Sequence, residues 1–294
     1  MTTLSINCEL RCDRLMKRAP GALVLERVYD YEPPVAEEEW TVNAVETIQT
    51  GPRFCVFRAQ IIRSDGDALD AVLKIDPTGE CEAACKNELK VYQTKGKVLQ
   101  GTALPEFYGC FQVRIGAAMV TCLAMEYCGE PLKKDFDELD SDLIGKLLIA
   151  VAALHGWGLT HGDLYPRNVR VVNEHPVLID FESSESHTCG LRMQVIQGTT
   201  MPTPEEYGCT ELHHLVWRMG LWEPGSPLCY QNNPYSKKTQ IHSALLRYIL
   251  IKIAFGPSRT SSGSYGRKQS QNGRGIIWSR KRNSCSKNSA KSAS

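Results

Sequence analysis

Three residues at fixed spacing suggest chemistry: Asp163 and Asn168 within HGDLYPRN (161–168), and Asp180 within LIDFESS (178–184). An acid, an amide five residues on and a second acid twelve beyond that suit phosphoryl transfer. There the phosphoryl group passes in line between two oxygens, and catalysis consists of holding metal-bound phosphates and orienting the attacking hydroxyl. Magnesium takes hard oxygen ligands, which a carboxylate and an amide carbonyl supply while positions remain for phosphate and water. A separate carboxylate beside the hydroxyl can orient it and accept its proton.

The elements that must position these groups can be read along the chain. NVRVV and PVLIDF bracket NEHP as the two strands of a hairpin would, which sets the interval between Asp163 and Asp180. Upstream, WTVNAVETIQT, RFCVFRAQII and DALDAVLKID are β-rich and separated by GP and SDGD, turn signals that predict a three-stranded antiparallel meander. ECEAACKNELKVYQTKG has helix formers, apolar positions at Ala84, Leu89 and Tyr92, and Gly96 as a candidate C-cap. FYGCFQV and the nearly all-apolar AAMVTCLAMEYC predict two more strands. DSDLIGKLLIAVAALHGWG predicts a helix capped at Asp140 to Asp142 and stopped at Gly156 and Gly158. EEYGCTELHHLVWRMGLW and KTQIHSALLRYILIKIAF predict helices in the last part.

On these motifs the chain resembles the protein-kinase-like superfamily, and is most similar to the divergent fungal protein-kinase-like proteins, over about Thr41 to Trp222. The resemblance implies an α+β, two-lobed protein-kinase-like fold. It has a β-rich N-lobe with one helix (41–128) and a shortened, mainly helical C-lobe (129–255), after an N-terminal extension (1–40) and before a basic Ser/Gly-rich disordered tail (256–294). It implies ATP and Mg2+ as cofactors. Asp163 would be the catalytic aspartate, and Asn168 and Asp180 the metal ligands. AVLK resembles the strand whose lysine, here Lys74, contacts the α- and β-phosphates, and NEL makes Glu88 its ion-pair partner. LAMEYCG resembles the hinge, with the Glu126 carbonyl and Cys128 amide on the adenine edge and Met125 as gatekeeper. The phosphate-covering loop is represented only by TIQTGPRF, with Gly51 as its single glycine.

The implied activity is phosphotransfer from ATP to a hydroxyl, with protein Ser/Thr as acceptor. The alternatives are a small hydroxylated molecule, as in aminoglycoside- or choline-kinase-like enzymes, and a pseudokinase binding module. Gly162 stands where the family usually has Arg, which implies no activation through a phosphorylated loop. Tyr165 replaces a Lys and resembles the small-molecule kinases. Glu182, in place of Gly, could bind a second ion or point to solvent.

Composition adds bounds. The formal net charge of +1 hides an asymmetry, since residues 256–294 hold nine Lys or Arg and no acid, leaving 1–255 near −8. That tail offers the one route to nucleic acid, through nonspecific phosphate contacts; none is otherwise expected. Twelve cysteines without a CxxC, and an N-terminus without an apolar signal core, predict reduced structural thiols in an intracellular protein, cytoplasmic or nuclear, with zinc set aside. The apolar stretch from Ile241 is shorter than the ~20 residues of a membrane span and carries Arg247 and Lys252, so no membrane association is expected. A monomer is expected.

Overall fold

The computed structural model describes residues 2–7, 10, 12–16, 22–29 and 37–223. Two strands, β1 (Thr3–Ile6) and β2 (Leu23–Val28), flank a single helical turn, α1 (Asp13–Met16). They precede the meander β3 (Glu39–Thr50), β4 (Cys55–Ile62) and β5 (Ala68–Asp76), whose strands pair antiparallel. Helix α2 (Glu82–Gln93) follows, then β6 (Phe107–Ile115) and β7 (Ala118–Glu126), which pair with each other, while β7 also pairs with β5. Alternation in β4 puts Cys55, Phe57, Ala59 and Ile61 inward, as a period of two requires.

The expected two-lobed protein-kinase-like architecture is overturned here. The sheet is a closed barrel of seven strands in the order β1-β2-β6-β7-β5-β4-β3, not an open β-rich lobe. The residues read as an extension close it: β1 lies parallel to β3 and antiparallel to β2, and β2 pairs with β6. Closure pairs both sheet edges that would otherwise stay open. Leu4, Ile6 and Leu25 thereby join Val42, Phe57, Leu73 and Phe111 in the barrel core. A disulfide between Cys12 and Cys55, Cα atoms 6.5 Å apart, ties this segment to β4 and departs from the expected reduced thiols.

The expected mainly helical lobe is likewise not found among the described residues. After the barrel come α3 (Ser141–Gly156), the hairpin β8 (Val169–Val172) and β9 (His175–Leu178), and two short helices, α4 (Pro204–Tyr207) and α5 (Thr210–Arg218). Only α3 is long; 185–203, with two glycines and one proline, forms no regular helix or strand. A second apolar core joins Ile144, Leu147, Val151 and Leu154 of α3 to Leu89 and Tyr92 of α2, Leu178, Phe181 and Leu215.

Local signals explain the elements that hold the site. Asp140 caps α3, its carboxylate accepting the Leu143 N–H at 2.9 Å. The β8–β9 turn runs through Asn173 and Glu174 at φ 50° and 64°, the left-handed pair a tight hairpin uses. Buried Asp76 accepts the N–H groups of Thr78, Gly79 and Cys81 at 3.0, 2.9 and 2.8 Å, fixing the turn from β5 into α2. Gly96 does not cap α2 but lies in the 3-10 turn after it.

Among the described residues no helix is long and apolar enough to cross a membrane. The apolar stretch from Ile241, the candidate helix containing it and the basic tail with its nucleic-acid reading lie outside the described residues.

Candidate functional site

A cleft of about 270 Å3 opens between the barrel and the β8–β9 hairpin. Its polar end is built around Lys74 of β5, whose Nζ lies 2.7 Å from Glu88 Oε2 and 2.7 Å from Asp180 Oδ1. Strand β5 carries the lysine inward because its last four residues are all buried. Helix α2 meets it with Glu88, 1% exposed. Burial by itself would pull the Lys74 pKa down, but the two carboxylates outweigh it and hold the ammonium above its ordinary range. Burial pushes Glu88 up, with Lys74 pulling against it. Burial also pushes Asp180 up, but the adjacent Lys74 reverses this and leaves its carboxyl below the usual range.

Asp180 stands at φ 67°, a left-handed conformation that is uncommon for a residue other than glycine. Two α2 side chains hold the segment that imposes it. Glu88 Oε1 accepts the Phe181 N–H at 3.4 Å, and Asn87 Nδ2 donates to the carbonyls of Glu182 and Ser184 at 2.9 and 2.8 Å. Below them Phe181 packs edge-on to Tyr92 and against His161, centroids 5.8 and 4.8 Å away.

The facing loop carries the other two chemical groups. Asn168 Nδ2 donates to the Asp163 carbonyl at 2.8 Å and to Asp163 Oδ2 at 2.9 Å. That commits the amide nitrogen and leaves the amide oxygen as the atom offered to a cation. Arg167 Nη2 contacts both Asp163 oxygens at 2.8 Å from an exposed position. His161 lies at the base of the loop, 0% exposed, and burial pushes its imidazole below the ordinary value. A neutral ring fits its contacts: Nδ1 accepts the Asp163 N–H at 3.3 Å and Nε2–H donates to the Ile179 carbonyl at 3.0 Å.

Lys74, Glu88, Met125, Glu126, Cys128, Asn168 and Asp180 thus line one cleft, and Asp163 joins it through Asn168. Ile48, Val56, Val72 and Ile179 complete an apolar end beside Met125, whose sulfur lies 3.7 Å from the Tyr92 hydroxyl. Gly51 is not brought there. It occupies the β3–β4 turn, its N–H donating to the Phe54 carbonyl at 2.8 Å, and the cleft wall on that side is Ile48 and Gln49. Glu182 does not point to solvent: Arg53 from the same turn binds its Oε2 at 2.7 Å, and Lys74 lies 3.7 Å from its Oε1.

Four contributors were missed in the sequence. Arg53 and Arg167 sat inside quoted motifs without a role, Asn87 directly precedes Glu88, and Glu211 carried no signal at all. Glu211, on α5, accepts the backbone N–H of His161 at 3.0 Å and of Gly162 at 2.7 Å, and holds His155 Nε2 at 2.6 Å. Burial would raise its carboxyl; the contact with His155 and the two N–H groups outweigh this and hold it below the usual range.

Gly162 shows why no larger residue fits that loop. It lies at φ 81°, and a Cβ there would stand 2.0 Å from the Ser183 carbonyl oxygen. Gly162→Ala is expected to destabilise the protein by about 1–3 kcal/mol through overpacking, with a further ~1–2 kcal/mol from the left-handed backbone. Denaturant unfolding checks this; an unchanged midpoint would show that the two loops can separate freely.

No family model matches the chain, and no curated protein matches it. Together with the closed barrel, this overturns the expected membership of the protein-kinase-like superfamily and the likeness to divergent fungal members.

Proposed function

We propose that the chain is an ATP-dependent phosphotransferase that delivers the γ-phosphate to a hydroxyl, with protein Ser/Thr as acceptor. The observation that carries this is a buried ammonium within 2.7 Å of two carboxylates, in a cleft whose opposite wall presents an asparagine bonded to a third carboxylate. Glu88 fixes Lys74, which reaches the phosphates of a nucleotide whose base lies between Val72, Val56 and Ile179. Asp180 and the Asn168 amide oxygen are the residues fitted to hold Mg2+, which supplies charge neutralisation along the phosphates when bound. Asp163 orients the acceptor hydroxyl and takes its proton as the acceptor oxygen bonds to the γ-phosphorus and the β,γ-bridging bond breaks, releasing ADP. Arg167 must turn from Asp163 for this. It is 61% exposed, and an exposed ion pair is worth only about 0–1 kcal/mol.

A small hydroxylated acceptor is the second reading, favoured by the rim beside Asp163. There Tyr165 lies between the guanidinium groups of Arg167 and Arg218, each 4.4 Å from its ring. Such a rim suits an acceptor that carries negative charge.

Titration calorimetry with ATP, with and without Mg2+, tests the site. ADP release is then followed against acidic peptides and phosphorylated polyols. Expected is Mg2+-dependent ATP binding that disappears in Asp180→Asn, and ADP release stimulated by one acceptor class. ATP binding indifferent to Mg2+ and to Asp180 would overturn the proposal.

A further inference from the structure

Four side chains from three separate stretches converge beside Glu211: His155 at the end of α3, His187 and Cys189, and Cys209 just before α5. We propose that these four residues form a structural zinc site that fixes the loop bearing Asp163. The zinc site does not depend on the phosphotransfer reading.

The backbone builds the cluster deliberately. His187 N–H donates to the Gly158 carbonyl at 2.9 Å and Thr160 N–H to the Glu185 carbonyl at 3.0 Å, laying His187 beside the end of α3. Cys189 and Cys209 are brought together by their neighbours, Gly190 and Gly208. A Cβ on Gly208 would stand 2.1 Å from the Gly190 carbonyl oxygen, and one on Gly190 would stand 2.8 Å from that of Gly208. Side chains at either position would push the two sulfurs apart.

The ligand atoms fit one ion. One donor atom from each residue lies within 4.8 Å of all the others. Cys209 Sγ is 3.5 Å from His155 Nδ1 and 3.7 Å from His187 Nε2. A tetrahedral zinc with ordinary Zn–S and Zn–N bonds separates sulfur from nitrogen by about 3.6 Å. Two thiolates cancel the charge of Zn2+, so a neutral unit is placed in a largely buried position. Four protein ligands leave no open coordination position, which marks a structural and not a catalytic centre.

The surroundings of His155 point the same way. With Nδ1 turned to the cluster, its Nε2–H donates to Glu211 at 2.6 Å, the carboxylate–histidine pairing that orients metal-bound imidazoles. Glu211 in turn receives the N–H groups of His161 and Gly162, the two residues before Asp163. The ion would therefore lock His155, His155 would lock Glu211, and Glu211 would set the height of the loop. Gly162, pressed against Ser183, closes that chain from the other side.

The test uses the full chain, purified with reductant and without chelator. Elemental analysis should find one zinc per chain, and Co2+ exchanged into the wild type should give the intense visible absorption of a tetrahedral site with a thiolate charge-transfer band. Cys189→Ser and His187→Ala should lose the metal, and Glu211→Gln should weaken zinc binding about 10–100-fold in competition with a chromophoric chelator. The cobalt spectrum and chelator competition on the wild type decide the matter even if the ligand variants fail to fold. Zinc-free protein that refuses Co2+, metal retained in both ligand variants, or a Cys189–Cys209 disulfide in the peptide map of the native protein would each overturn the proposal.

Discussion

Asp163→Asn is expected to lower ADP formation with acceptor by about 10²–10⁴-fold while leaving ATP affinity and its Mg2+ dependence unchanged. Asparagine keeps an oxygen to accept the Asn168 Nδ2–H, and the exposed Arg167 contact that it weakens is worth only about 0–1 kcal/mol, so the loop is retained. What it lacks is a carboxylate basic enough to take the hydroxyl proton. A drop in kcat with an unaltered nucleotide Kd is therefore the signature of a group acting on the acceptor. If the variant turns over at the wild-type rate, Asp163 is structural and the chemistry must be sought elsewhere in the cleft. A fall in ATP affinity instead would place Asp163 among the nucleotide ligands.

The second large effect concerns stability. Lys74→Met is expected to destabilise the protein by about 3–5 kcal/mol, because it strands Glu88, 1% exposed, without its counter-ion. Asp180 is 30% exposed and reaches water, so it adds little to that cost. Adding Glu88→Leu to Lys74→Met should recover most of the loss, since replacing a buried ion pair with packed apolar side chains is often neutral. The double variant should remain unable to bind ATP productively. Denaturant midpoints for the single and double variants, measured beside ATP titrations, separate the two roles of Lys74. Stability that falls further in the double variant would mean that Glu88 serves mainly through its contact with the Phe181 N–H, and not through the ion pair.

The meander, α2, the β6–β7 pair, α3 and the β8–β9 hairpin all follow from local patterns that each segment carries within itself. Periods of two and 3.6, turn residues and caps are written within a dozen residues. Barrel closure was not legible. β1 is four residues long, shorter than a confident pattern, and its partners β2 and β3 lie about twenty and forty residues away. The Cys12–Cys55 link is hidden for the same reason, a separation of 43 residues. The fold class expected from the motifs fails on these long-range pairings.

Within the site, residue types at short spacing and the Lys74–Glu88 pair were readable, and the arginine pairings were not. Asp163, Asn168 and Asp180 stand in two motifs whose interval a hairpin explains, so their proximity could be expected. That Arg53 reaches Glu182, or that Arg167 covers Asp163, depends on which way long side chains lie across a loop. Gly51 is the sole glycine in a loop expected to touch phosphate, yet the turn it makes keeps it out of the cleft wall.

The sequence by itself determined the secondary elements and the order of the acids, the amide and the lysine, because short-range sterics and hydrophobic alternation act between near neighbours. Only the tertiary structure decided that the sheet closes on itself and that His155, His187, Cys189 and Cys209 share one space. Those four residues span 54 positions with no metal-binding spacing beyond a single His-x-Cys. Cys189 and Cys209 meet because two glycines let two backbones touch, a contact that acquires meaning only when the chain is folded.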